Sequence, residues 1–313
     1  MLAPICLFTY NRLDETLKTL NALQKNYLAP ESDLYIFSDG SKDENDLLKV
    51  NAVRSHLQNV SGFKSVTFYK SEENKGLANS IIYGVSQVLG KYEKVIVLED
   101  DLITFPNFLN FMNQALSFYK ADSNIQSVNG YSLYLKNKKD GVYFQHRTLS
   151  WGWATWKDRW NVDLFDKEQL RDIIKSKPTL LKEFQRKCGY DIPKMLKDSI
   201  ADKNDSWYVR WAFDHFRNKH YAVFPVYSFI INIGHNKDAT HCKGINTYVS
   251  SPLNTEKIEF EFPIFQPADR KISTEFLYYF SRIYKFIFRI KLLKTQTGRI
   301  QVFRELKMRA GLL

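Results

Sequence analysis

The chain has 313 residues, of which 44% are apolar and 25% charged, with a formal net charge of +11. That balance excludes a disordered or fibrous chain, and no apolar run approaches the roughly 18 to 20 residues that span a bilayer as a helix. Three cysteines, Cys6, Cys188 and Cys242, are an odd number without CxxC spacing. They argue against a disulfide framework or a zinc site, and for reduced thiols in a cytoplasmic setting.

The pattern of the first hundred residues alternates strand and helix. A buried-type strand, Pro4–Phe8, starts so early that no signal peptide is expected. A helix follows with Leu13, Leu17, Leu20, Leu23 and Tyr27 on one face. Leu34–Phe37 reads as a second strand, and a helix carrying Leu47, Val50, Val53 and Leu57 comes next. Val66–Tyr69 is a third strand, leading to a helix over about Leu77–Leu89. Val95–Leu98 is a fourth. This βαβ repetition predicts a mostly parallel sheet flanked by helices. Phe105–Tyr119 then reads as an amphipathic helix, and Ser127–Leu135 and Val142–Gln145 as strands. Residues 163–203 look like a helical insertion. A helix runs from Trp207 through Phe216, Tyr221–Ile233 is β-prone, and Gly234–Ser251 is loop-like. Residues 273–310 read as one or two basic amphipathic helices.

The fourth strand runs directly into three carboxylates, Glu99-Asp100-Asp101. Like charges this close disfavour joint ionisation, and burial makes that worse. A divalent cation removes the conflict. Mg²⁺ and Mn²⁺ take oxygen ligands, commonly one or two carboxylates completed by substrate phosphates. Ligands of open α/β sheets lie beyond the carboxyl ends of the strands. The triplet therefore reads as the dock for a metal-bound nucleotide diphosphate.

Three further motifs end strands in the same way. They are Thr9-Tyr10-Asn11-Arg12, Ser38-Asp39-Gly40-Ser41 and Asn74-Lys75-Gly76-Leu77-Ala78. Together the four resemble a GT-A glycosyltransferase (a Rossmann-like fold), chiefly of family 2, with similarity to the N-acetylglucosaminyltransferase I type. Gly152-Trp153-Ala154-Thr155-Trp156 and Asp205-Ser206-Trp207 resemble acceptor-side motifs of bacterial sugar transferases.

The resemblance implies a domain over residues 1–269, with a nucleotide-sugar half at 1–120 and an acceptor half at 121–269. It implies donor contacts from Thr9, Asn11, Arg12, Asp39, Asn74, Lys75, Gly76, Glu99 and Asp100. Lys237 and His241 would reach the diphosphate from a loop. Asp101 would coordinate Mn²⁺ or Mg²⁺, although the usual D-x-D here reads E-D-D. Trp151, Trp153 and Trp207 would face the acceptor. The catalytic base would be Asp205, with Asp214 in reserve; Tyr208 stands where related chains often carry an acid. The expected reaction is an inverting transfer from a nucleotide-sugar, most simply a UDP-sugar, to a hydroxyl of a surface glycan. A sugar-nucleotide nucleotidyltransferase would want a Gly-rich basic loop after the first strand. A non-catalytic nucleotide- or glycan-binding domain is the other alternative.

Residues 270–313 hold eleven Lys/Arg and two acids, a net +9, which leaves +2 for residues 1–269. Apolar positions 276, 280, 283, 284, 287 and 290 suit a helix lying on an anionic membrane surface, where each basic residue adds about 1 kcal/mol. The enzyme is then expected at the cytoplasmic face, beside a lipid-linked acceptor. No nucleic-acid-binding motif accompanies the charge.

Overall fold

The computed structural model describes residues 1–234, 245–248, 257–267 and 269–309. In chain order, β1 (Ile5–Thr9), α1 (Leu13–Gln24), β2 (Asp33–Ser38), α2 (Glu44–Leu57), β3 (Ser65–Lys70), α3 (Gly76–Leu89) and β4 (Lys94–Glu99) form the expected alternating half. There follow β5 (Leu102–Thr104), α4 (Phe108–Phe118), β6 (Ile125–Asn129), β7 (Val142–Gln145) and β8 (Trp153–Trp156). The insertion is α5 (Lys167–Ser176), α6 (Leu180–Cys188) and α7 (Ile192–Ile200). Then come α8 (Trp207–Arg217), β9 (Tyr221–Pro225), β10 (Ile230–Asn232), α9 (Arg270–Tyr278), α10 (Arg282–Leu292) and α11 (Gln296–Arg309).

One sheet carries eight strands in the order β3-β2-β1-β4-β8-β6-β9-β7. Parallel pairing joins β3, β2, β1 and β4. β8 lies antiparallel between β4 and β6, and β7 is antiparallel to β9, which is parallel to β6. Only β7 and β8 therefore run against the rest, and the mostly parallel sheet is as expected. Both faces are covered, because each strand divides its side chains by the pleat. Ile5, Leu7, Leu34, Ile36, Ile96 and Leu98 pack toward α1 and α4. Cys6, Phe8, Tyr35, Phe37, Val95 and Val97 pack toward α3 and α8. The insertion packs on α8 around a separate small core that includes Phe184, Leu196 and Phe213.

Two predicted elements come apart. Tyr221–Ile233 makes two strands in different sheets, because β10 leaves to pair with β5. The helix expected through Phe276–Leu293 breaks at Tyr279–Ser281, where the Ser281 hydroxyl caps α10 by accepting from Tyr284 N at 3.1 Å. Phe276 and Phe280 are then buried in the main core. Thus α9 packs with the body.

Candidate active site

A cavity of about 490 Å³ lies at the carboxyl ends of β1, β2 and β4 and reaches across to the segments flanking β6 and β8. Its centre is the end of β4. Three carboxylates there face one guanidinium. Arg12 is ion-paired to Asp100, and its other terminal nitrogen stands 3.0 Å from Asp101. Burial alone would lower the Arg12 pKa, but the two carboxylates more than reverse this. Burial pushes Asp100 up to about 6 against the pull of Arg12. Burial, and then the charges of Asp101 and Asp100, push Glu99 up to about 8. Three carboxylates thus meet one guanidinium, and a bound cation would relieve the repulsion that remains. Among the described residues no three His, Cys, Asp or Glu side chains form a self-sufficient metal site. The donor set instead suits an ion that takes one or two carboxylates and completes its shell with phosphate oxygens.

The ribbon of β5 and β10 brings a second segment to the triplet. Ile233 N donates to Asp101 O at 2.9 Å, and Gly234 lies so close that a Cβ there would collide with the Asp101 carboxylate. Lys237 and His241 lie outside the described residues.

Asp39 directly follows β2 and organises the mouth of α3. Its Oδ1 accepts from Gly40 N (3.0 Å) and Lys75 N (2.9 Å), and its Oδ2 from Gly76 N (2.9 Å). A carboxylate has about four lone-pair sites, so one remains, on Oδ2. Asn74 Nδ2 donates to Gly40 O at 2.7 Å and ties the same two loops together. Gly76 needs its glycine: its φ is +74°, and a Cβ would stand 3.0 Å from Asp205 Oδ2. Asp205 reaches across 127 residues to accept from Ala78 N at 3.2 Å. The first amides of α3, at an end of the helix that favours anions, are thus held by two protein carboxylates. The N-cap of α8 is Ser206 rather than Asp205. Ala78 N is the only donor bonded to the Asp205 carboxylate among the described residues, and Asp205 lines the cavity.

The sequence-derived candidates divide cleanly. Thr9, Arg12, Asp39, Asn74, Gly76, Glu99, Asp100, Asp101, Trp151, Asp205 and Trp207 all line the cavity. Asn11 does not: it donates to Asp46 Oδ1 at 2.9 Å, beside the Tyr10 hydroxyl that donates to Oδ2. Lys75 lays its ammonium over the Tyr83 ring at 4.0 Å. Trp153 is buried in an aromatic core with Trp160, Trp207 and Trp211. Asp214 is taken up by Gln126 (2.8 Å), Arg217 (3.0 Å) and Asn218 (2.9 Å), away from the cavity. That leaves Asp205 as the candidate base.

Several cavity residues carried no sequence signal. Buried Arg147 forks onto Asp191 (2.7 and 3.2 Å), donates to Cys188 O and stacks on Phe280 at 3.6 Å. Burial would raise the Asp191 pKa, but Arg147 holds it below the usual carboxylate range. Tyr131, Tyr248 and Phe280 join Trp151 in an aromatic wall beyond β6 and β8. Tyr131, Arg147, Asp191, Tyr248 and Phe280 come from five separate segments, and nothing in their local sequence marks them for the cavity.

Residues 5–171 match the family described as Glycosyl transferase family 2. The chain belongs to that family. Its fold is the α/β GT-A arrangement expected for family 2. Among solved structures, the mannosyltransferase PcManGT from Pyrobaculum calidifontis, in complex with GDP-Man and Mn²⁺, is similar over 50% of this chain and 46% of its own, at 13% identity and a TM-score of 0.35. S. aureus TarS is similar over 75% of this chain and 37% of its own, at 14% identity and a TM-score of 0.39. Residues 1–349 of TarS match over 50% and 47%, at 14% identity and a TM-score of 0.34. The chain spans less than half the length of these structures, and at such identities the likeness concerns the fold alone. No curated protein matches the chain. The narrower similarity to the N-acetylglucosaminyltransferase I type gains no support from these comparisons.

Proposed function

We propose that this family 2 transferase moves a sugar from a nucleotide diphosphate, first of all a UDP-sugar, to a hydroxyl of a surface glycan, with inversion at the anomeric carbon. Its acceptor is carried on a lipid at the cytoplasmic face of a membrane. Residues 1–120 serve as the nucleotide-sugar half and 121–269 as the acceptor half. The carrying observation is the convergence of Asp39, Asp101 and Asp205, from three separate segments, on one cavity beyond the parallel strands.

Asp39 keeps one acceptor site for a uracil N–H or a ribose hydroxyl. Asp101, with Asp100 beside it, would hold Mn²⁺ or Mg²⁺, and the ion would neutralise charge building on the leaving diphosphate. Arg12, already paired with both carboxylates, would offer its guanidinium to a phosphate of the donor. Asp205 accepts the acceptor hydroxyl's proton as that oxygen bonds to the anomeric carbon and the bond to the diphosphate breaks. Trp151 presents an apolar face to the sugars, while Trp207, almost fully buried in the aromatic core, only edges the cavity.

Thermal-shift measurements with UDP, GDP, CMP and TDP, each with and without Mn²⁺, test this directly. A nucleotide at about a hundred times its dissociation constant adds roughly 2.7 kcal/mol of stability. The expected result is a UDP shift that needs Mn²⁺ and is lost in Asp101→Asn. Absence of a shift with every nucleotide would overturn the donor site.

A further inference from the structure

The break after α9 changes which apolar residues face outward. Phe276 and Phe280, on the expected membrane face, are in the core. Beyond the break, α10 and α11 form a helical hairpin whose inner seam is already filled. Val302 is buried there, and Arg289 forks onto Glu305 across the seam at 2.8 and 2.6 Å. The hairpin is anchored to the body by Tyr284, whose hydroxyl donates to Thr247 O at 2.7 Å, and by Lys285, 3.9 Å from Asp191.

Outside that seam each helix keeps an apolar stripe in solvent. On α10 and its end it is Ile283, Phe286, Ile287, Ile290 and Leu293, at helical spacing; on α11 it is Ile300, Phe303 and Leu306. Phe286 is 66% exposed and Phe303 60%. Residues 282–309 also hold nine Lys/Arg and one acid, a net +8.

We propose that this α10–α11 hairpin is the membrane-docking surface of the enzyme, and that its partner is the surface of an anionic lipid bilayer. The inference rests on the membrane-side placement proposed above and narrows it to one surface. Charge selects the occupant. Two copies would bring +8 against +8, and Ile/Phe stripes have no use on a nucleic-acid backbone. An anionic bilayer satisfies both features: acyl chains take the stripes and lipid phosphates the basic side chains, each of which gains roughly fivefold in partitioning near such a surface. Because Phe280 lines the cavity one residue before the cap of α10, docking would set the acceptor half of the cavity beside the lipid surface.

Flotation of the full chain with phosphatidylcholine vesicles, with and without phosphatidylglycerol, tests the proposal. Wild type should float with the mixed vesicles at low salt and stay behind with pure phosphatidylcholine. Phe286→Asp with Phe303→Asp should lower partitioning by about a hundredfold or more, while the melting temperature and any nucleotide-induced shift stay as in wild type. Equal flotation of the variant, or none by wild type, would overturn the docking surface. So would a wild-type dimer in light scattering that the substitutions dissolve. A nucleotide shift that persists without flotation would sink this inference and leave the transferase reading standing.

Discussion

Asp205 holds Ala78 N with one oxygen and faces the cavity. The structural and the chemical roles can be separated by substitution. In Asp205→Asn the amide oxygen can still accept from Ala78 N, so the melting temperature should hold. The turnover rate should nevertheless fall by about 10²–10⁴, the usual contribution of a general base. Asp205→Ala should add a loss of about 1 kcal/mol from the helix mouth. Full turnover by Asp205→Asn would place the base elsewhere. Asp39 and Asp205 also show what a motif leaves unsaid. Both were legible as acids after strand or turn signals. That they share the first amides of one helix was not, since 166 residues of chain separate them and only folding brings them together.

At the scale of elements, α9 is the informative case. In sequence it belongs to the basic tail, yet Phe276 is fully buried against Tyr143 and Phe224, and Glu275 accepts from Lys136 N and from the amide and side chain of Asn137. Phe276→Ala should therefore cost about 3–5 kcal/mol, as a large core truncation does. A change within about 0.5 kcal/mol in urea unfolding would instead mean that α9 is loosely attached. The elements of the first half were read from sequence nearly to the residue, because strands covered on both faces stand out as short continuous apolar runs and the helices between them keep a 3.6-residue apolar period. The break at Ser281 was missed because the apolar spacing runs on past it, and the Ser281 cap is the signal that could have shown it.

Across the whole molecule, protonation of buried histidine opposes folding. Burial, helped by Lys187 and opposed by the bond that His146 makes to His220 O, lowers the His146 pKa to about 4. His215 is likewise lowered to about 4 by burial, against its bond to Trp211 O and the charge of Asp214. Between about 6.5 and 4 the unfolded chain then binds protons that the folded chain refuses, so these residues contribute stability that is full above the window and lost as pH falls through it. Buried Glu99 and Asp100 shift the opposite way, so the test is a difference. Over that window His146→Gln should gain on wild type by up to roughly 3 kcal/mol in urea unfolding, with the other titrations cancelling. A difference that stays constant with pH would remove His146 from the account.

The sequence alone determined the α/β alternation, the placement of four polar motifs at strand ends, and the concentration of charge in the last 44 residues. Hydrophobic period and strand-end position are local properties, and they can be read locally. Tertiary structure alone decided which candidates meet. It sent Trp153 and Asp214 into packing, and it gave Arg12 to the acidic triplet and the α3 amides to Asp39 and Asp205. It also recruited Arg147 and Phe280 to the cavity and split the tail into a core helix and an exposed hairpin. These outcomes depend on contacts between distant segments, and no spacing along the chain encodes them.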